Sequence, residues 1–133
     1  MPKSALLFVV LALSSHMPAS AVDAPSRSTL ETVKLRMERY NERQLDPIME
    51  LYADDVAIYK YPDQLLGKGK AHLRQVLEGT FKDSTPVTIE RQLVQGNFVI
   101  SEELVTYAGT AKHFVSIYEV RDGLIQSVRF IRD

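Results

Sequence analysis

Four strand-like runs occupy the C-terminal part of the chain, and the residues between them are those that tight turns require. The runs cover 87–95, 97–107, 111–120 and 124–132, and they are separated by Gly96-Asn97, by a loop around Gly109 and by Asp122-Gly123. Gly-Asn and Asp-Gly suit two-residue hairpin turns, whose central residues reach positive φ. Runs joined in this way pair antiparallel, so the sequence predicts a four-stranded meander.

The segment before the meander is predicted to begin with two helices. Ser28 and Glu31 form an S-x-x-E capping box, and apolar side chains follow it at helical spacing. Those side chains are Leu30, Val33, Met37 and Tyr40. Asp46-Pro47 suits the N-cap and first position of a short second helix, which is expected to end near Ala53–Asp55 and to form a hairpin with the first.

A strand and a third helix complete the predicted elements. The run 56–61 is rich in β-branched and aromatic residues and stops at a proline, as a strand followed by a turn would. Because side chains alternate along a strand, Tyr59 and Tyr61 are expected on one face and Lys60 on the other. Apolar residues then recur at helical spacing as far as Thr80 or Phe81, and Gly79 with Pro86 is predicted to mark the end of the third helix.

The third run of the meander has apolar residues on both faces. Phe114, Tyr118 and Val120 share one parity, while Val115 and Ile117 share the other. Since helices can cover only one face of the sheet, a second subunit is the predicted cover for the other.

The first 21 residues have the pattern of a secretory signal peptide. Lys3 supplies a positive charge, Ala5–Leu13 is an apolar run, and Ala19-Ser20-Ala21 offers small residues for cleavage. The run is far shorter than the roughly 20 residues that span a bilayer, so no membrane anchor is predicted after removal of the leader. The sequence thus predicts a leader at 1–21, a linker at 22–28 and a domain at 29–133 in an exported protein, periplasmic or secreted.

The composition is that of an ordinary globular domain and argues against several functions. Of 133 residues, 45% are hydrophobic and 25% charged, the formal charge is −1, and there is no cysteine. The chain therefore has no disulfide framework, and without a basic stripe it is not predicted to bind nucleic acid. Its histidines and carboxylates lack ligand-like spacing, so neither a metal nor another cofactor is predicted.

The order of elements and two stretches of sequence resemble a known family. With "ELYADDVAIYKYP" at a helix-to-strand junction and "SIYEVRDGLIQSVRFIRD" near its end, the chain is similar to the SnoaL-like branch of the nuclear transport factor 2-like (NTF2-like) superfamily. The resemblance extends over about Thr29 to Asp133. It implies an α+β fold in which three helices wrap a curved, mainly antiparallel sheet into a cone with an interior pocket. It also implies a homodimer formed through the outer face of the sheet.

The catalytic groups of one branch of that superfamily do not carry over. Ketosteroid isomerases join a carboxylate base on the first strand to a helix tyrosine and a protonated aspartic acid on a late strand. Here the base position falls on Lys60, or on Tyr61 if one insertion is allowed. The tyrosine position falls on Arg36 and the acid position on or near Ser116, so no catalytic residue is assigned.

The resemblance and the strand alternation together predict a ligand pocket. Its predicted lining is Met37, Tyr40, Tyr59, Tyr61, Phe114, Ser116, Tyr118, Val128 and Phe130. Such an apolar and aromatic wall with a few hydroxyls suits a small, flat, weakly polar molecule. Ligand binding without established catalysis is the first predicted function. The alternatives are an isomerase, lyase or cyclase using Tyr61 or Arg36, and a dimeric interaction module whose cone is filled by its own side chains.

The remaining polar residues are predicted to have structural roles. Lys60 is expected in solvent, His72 on an exposed helix turn and His113 on the outer, interface-facing side of the sheet. The acid pairs Asp54-Asp55 and Glu102-Glu103 are expected to be solvated at turns and surfaces.

Overall fold

The computed structural model of the protein describes residues 27–132. The helices in that range are α1 (Thr29–Asn41), α2 (Leu45–Met49) and α3 (Lys70–Asp83). The strands are β1 (Tyr52–Lys60), β2 (Gln64–Lys68), β3 (Thr88–Gln95), β4 (Phe98–Tyr107), β5 (Thr110–Arg121) and β6 (Leu124–Ile131). The predicted leader and most of the predicted linker lie outside the described residues. No helix within residues 27–132 has the length and apolar character needed to cross a membrane.

The six strands form one mixed sheet with the order β2-β1-β6-β5-β4-β3. All neighbours are antiparallel except β1 and β6, which are parallel. The predicted meander is confirmed as β3 to β6. Asp122 and Gly123 have φ of 52° and 71°, as a type I′ turn requires. In the Gly96-Asn97 turn only Gly96 has positive φ, which matches a type II′ turn with glycine at its first central position.

The helices cover one face of the curved sheet, and the core lies between the two layers. The predicted capping box is present, since Ser28 Oγ accepts the Glu31 backbone N–H while the Glu31 carboxylate accepts the Ser28 N–H. On β5, residues of one parity, Phe114 to Val120, are buried, while those of the other parity are half-buried. This α+β architecture agrees with the predicted fold class. Burial of the outer face by a second subunit stays a prediction.

Two boundaries differ from the sequence predictions. Helix α2 is capped by Gln44 rather than Asp46, and the Ala53–Asp55 segment belongs to β1. The strand starts early because Tyr52 already pairs with Ile125 on β6, and the irregularity that follows leaves the two acids of the segment exposed. Helix α3 ends at Asp83, between Gly79 and Pro86 as predicted, and it continues through Gly79 because tertiary packing outweighs the weak helix propensity of one glycine.

One strand was missed entirely. No element was predicted for Gln64–Lys68, which pairs antiparallel with β1, with Ile58 opposite Gly67. Every residue of β2 except Gly67 is exposed, so no alternation of apolar and polar residues marks it in the sequence. Its existence depends on the neighbouring strand rather than on its own composition.

Candidate ligand-binding cavity

A cavity of about 570 Å³ lies between the helices and the concave face of the sheet. Helix α1 contributes Arg36 and Tyr40 to its wall, and α3 contributes a mainly apolar stripe from Leu73 to Thr80. Strands β1, β4, β5 and β6 supply the opposite wall. The volume falls in the range of small-molecule sites, which are typically about 300–1,000 Å³.

The structure brings seven of the nine predicted lining residues to this cavity or just behind it. Tyr40, Phe114, Val128 and Phe130 line it directly. The three others, Met37, Ser116 and Tyr118, are buried without lining it and contact groups that do. Whether these residues bind a ligand stays a prediction.

The two strand tyrosines lie elsewhere, so their predicted place is corrected. Ile58, not Tyr59, faces the cavity, because β1 pairs with β6 so that Ile58 lies beside Val128. Tyr59 is on the outer face, with the Arg129 guanidinium 4.4 Å from its ring centroid. Tyr61 follows the end of β1 and is 49% exposed. The predicted alternation of the strand was right, but the face assigned to the tyrosines was wrong.

A buried carboxylate, which sequence reasoning placed in solvent, lies in the cavity wall. Glu103 on β4 is only 5% exposed. Its Oε2 accepts a hydrogen bond from Ser116 Oγ at 3.0 Å, and its Oε1 accepts one from the Tyr118 hydroxyl at 2.9 Å. The signal for this placement was the alternation along β4, where Val99, Ser101, Glu103 and Val105 are the buried residues. Both Glu102 and Glu103 were predicted to lie at the surface, but only Glu102 does so.

A buried guanidinium balances this carboxylate in the same cavity. Arg36 donates from Nε to the Tyr52 hydroxyl at 2.9 Å and lies 4.7 Å from the ring centroid of Tyr40. Burial disfavours the charge on Arg36, but Tyr118, Tyr52 and Glu103 together raise its pKa above the ordinary arginine value. Arg36 is therefore a permanent cation. We call Arg36, Tyr52, Glu103, Ser116 and Tyr118 the polar cluster.

Two tyrosines near the cluster hold their protons tightly. Burial raises the pKa of Tyr118 well above its ordinary value, and Glu103 adds to the rise while Arg36 opposes it. Burial, with a smaller contribution from the neighbouring Tyr40, raises the pKa of Tyr107 to about 12. Tyr118 therefore stays protonated at neutral pH and donates its hydroxyl hydrogen to Glu103.

The histidines lie outside the polar cluster. His113 shares the outer-face parity of Val115, as predicted, and its Nε2 is 3.1 Å from Glu90 Oε2, but the residue also borders the mouth of the cavity. Glu90 reaches this position through an irregularity of β3 between Ile89 and Arg91. His72 is half-buried rather than exposed.

Within residues 27–132, one group brings three metal-ligand atoms within 4.8 Å of one another: Glu90, Glu102 and His113. The spacing of these residues in the sequence gave no indication of it. Arg91 already donates two hydrogen bonds to the Glu102 carboxylate, at 2.6 and 3.0 Å. These side chains and Arg91 therefore form an exposed network of ion pairs.

Comparison with known proteins gives the same fold. A family model described as the SnoaL-like domain matches residues 33–128. A cystatin-fold protein from Novosphingobium aromaticivorans has a TM-score of 0.73 and 24% identity, covering 80% of this chain and 99% of that chain. An NTF2-like protein of unknown function from Cytophaga hutchinsonii has a TM-score of 0.71 and 14% identity, with coverage of 80% and 90%. An LEH-like epoxide hydrolase from M. tuberculosis has a TM-score of 0.66 and 17% identity, with coverage of 79% and 82%. No curated protein matches the sequence.

Proposed function

The chain belongs to the SnoaL-like domain family, and from that premise we propose that it binds a small, mostly apolar molecule with one polar group in the cavity. The observation that carries this proposal is a polar cluster set into an otherwise largely apolar wall. Few, well-placed polar groups in an apolar concavity are the usual design of a small-molecule site.

The polar cluster has hydrogen-bonding capacity left for a ligand. Arg36 Nη2 makes no hydrogen bond to any residue between 27 and 132, and the side chain borders the cavity. Each oxygen of Glu103 accepts one hydrogen bond and has a further lone pair. A ligand hydroxyl could donate to Glu103 while it accepts from Arg36, whereas a carbonyl would use Arg36 alone. The polar end of the ligand is thus placed at the cluster and its apolar body along α3.

Binding can be tested with a fluorescent apolar probe and a blocked cavity. N-phenyl-1-naphthylamine should bind to the unaltered protein with increased fluorescence and raise its Tm. Thr110→Trp adds a large ring at an exposed position of the cavity wall and should weaken probe binding at least about tenfold. Ala71→Trp adds the same ring at an exposed position of α3 outside the lining and should leave binding unchanged. Equal binding by both variants would contradict the proposal.

A second candidate is an enzyme of the isomerase, lyase or cyclase type. The observation that favours it is Glu103, a buried carboxylate that could accept a proton from a bound substrate while Arg36 stabilises the negative charge that develops. Tyr61, which sequence analysis offered for this role, lies outside the cavity lining. In this case Glu103→Gln should abolish turnover of a substrate while the apolar probe still binds. Unchanged turnover would reject Glu103 as the base.

We further propose that the protein is a homodimer through the outer face of the sheet. Leu93, Ile100 and Ile117 lie side by side on β3, β4 and β5, and Leu93 is 60% exposed. A row of this kind on a single subunit is typical of an interaction surface. The third alternative is an interaction module that would use the same row of Leu93, Ile100 and Ile117. Its cavity would bind neither the probe nor a natural ligand.

The proposal also includes export. The positive Lys3, the apolar run and the small residues before Val22 support a leader that is cleaved after Ala21. Mass spectrometry of the protein purified from the extracytoplasmic fraction of its host should find a chain that begins at Val22. The same native measurement would reveal a retained small molecule. An uncleaved chain in the cytoplasmic fraction would refute export.

A further inference from the structure

The mouth of the cavity carries positive charge. Lys112 lies near the start of β5 and Arg132 directly after β6, and both are exposed while they also contribute to the cavity wall. Val115 pairs with Ile131, so the antiparallel register places Arg132 beside Phe114. Lys112 precedes Phe114 by two residues on β5 and therefore lies on the same side of the sheet. The two cations therefore lie close together at one edge of the opening.

This charge is not balanced by acids of the cavity. The ionisable groups that are charged at neutral pH in the wall are Arg36, Lys112 and Arg132 as cations and Glu103 as the anion. Glu103 lies deep in the wall, where it offsets Arg36. Neither Lys112 nor Arg132 forms an ion pair with a residue between 27 and 132. His113, also at the mouth, is already in contact with Glu90.

We infer that the natural ligand is an amphipathic acid, whose apolar body and cluster-binding polar group lie in the cavity and whose second polar group, a carboxylate or similar anion, lies at the mouth. This inference rests on the proposed binding function and adds the charge of the ligand to it. Two cations at the edge of a low-dielectric cavity attract an anion more strongly than they would in open solvent, and they also speed its approach. Arg132 is placed for this role by Phe130, whose ring centroid is 5.8 Å from the guanidinium carbon.

A matched pair of probes isolates the charge. N-phenyl-1-naphthylamine and 1-anilinonaphthalene-8-sulfonate share one apolar skeleton, and only the second carries an anion. We expect the sulfonate probe to bind about three- to tenfold more tightly to the full chain. Raising sodium chloride from about 0.01 M to about 0.5 M should weaken the sulfonate probe and leave the neutral one unchanged, because salt screens charges.

Charge-removing variants locate the effect at the mouth. Lys112→Gln with Arg132→Gln should abolish the preference for the sulfonate probe over the neutral one. Lys34→Gln with Lys68→Gln removes two exposed cations outside the cavity wall and should keep the preference, which separates a local contact from net charge.

The outcomes separate this inference from the binding proposal. If the neutral probe binds but the sulfonate shows no preference, or if the mouth variant keeps it, the cavity binds ligands and the inferred anion is wrong. If neither probe binds to a protein that is folded by circular dichroism, the binding proposal itself fails and the inference falls with it.

Discussion

The Tyr118 hydroxyl donates a hydrogen bond to Glu103 across 2.9 Å, from one strand of the sheet to the next. Ser116, on the same face of β5, donates to the other oxygen of the same carboxylate. A buried anion is tolerated only when its oxygens are hydrogen-bonded and an opposite charge is near, and Arg36 supplies that charge. Glu103 therefore links two strands of the sheet and also supplies the carboxylate of the cavity wall.

Replacing this carboxylate should destabilise the protein. Glu103→Gln turns one acceptor into a donor between two hydroxyl groups and removes the charge that offsets Arg36, so the free energy of unfolding should fall by about 1–3 kcal/mol. The adjacent Glu102→Gln removes a solvent-screened ion pair with Arg91 and should lower the free energy of unfolding much less than Glu103→Gln does. Urea denaturation of both variants measures the difference. Equal costs would mean that Glu103 is not buried as described.

Two glycines should respond to alanine in opposite ways. A Cβ at Gly67 would lie 2.2 Å from the His72 ring, so Gly67→Ala should destabilise the protein by about 1–3 kcal/mol. At Gly79, inside α3, a Cβ meets nothing within 4 Å, and alanine should add about 0.5–1 kcal/mol. Thermal or urea unfolding measures both. Combining Gly67→Ala with His72→Ala should recover most of the loss, and no recovery would rule out the ring as its cause.

Alkaline pH should destabilise the fold through Tyr107. Its pKa is about 12 in the folded protein against 10.0 for an ordinary tyrosine. Between these values the unfolded chain releases a proton that the folded chain retains, so this contribution is complete below about pH 10 and is lost as the pH rises through about 12. Tyr107→Phe should reduce the fall in urea midpoint between about pH 8 and pH 11, while Tyr61→Phe, at an exposed site, should not. Identical pH profiles would contradict the raised pKa.

The outer-face dimer should depend on the middle of the sheet. Ile117→Glu places an unpaired charge beside Ile100 and should raise the dimer dissociation constant at least about a hundredfold. Leu65→Glu changes an apolar residue that is 53% exposed on β2, at the edge of the sheet, and should leave the dimer intact. Sedimentation velocity over a range of concentrations measures both. A wild-type protein that is monomeric at all concentrations would overturn the proposed interface.

Local patterns predicted much of the fold. The turn residues and alternation of β3 to β6 and the capping box of α1 act within short segments, so the sequence displays them directly. Strand β2 and the early start of β1 are produced by pairing between strands, which no local pattern encodes. Alternation puts Ile58 and Tyr59 on opposite faces of β1 but does not say which of them faces the cavity. The alignment of β1 with β6 decides this.

The candidate site was predicted less completely than the fold. Its aromatic and apolar wall followed from strand parity, and four of the residues named from the sequence line the cavity. Arg36, Ser116 and Tyr118 of the polar cluster were named from the sequence, but Glu103 was missed because it was grouped with its neighbour Glu102 as a surface pair. Alternation along β4 assigns the two to opposite faces, but only the tertiary structure brings Arg36 to the same cavity as Glu103.

The parallel pairing of β1 with β6 also determines when a newly made chain can enclose the cavity. Helices α1 to α3 and strand β1 are synthesised first, but Ile58 gains its neighbour Val128 only after nearly the whole domain has left the ribosome. Contacts between such distant segments form late, because a long loop must close before they contribute any stability. A nascent chain therefore has one wall of the cavity long before it has the other, and the cavity exists only in the completed protein.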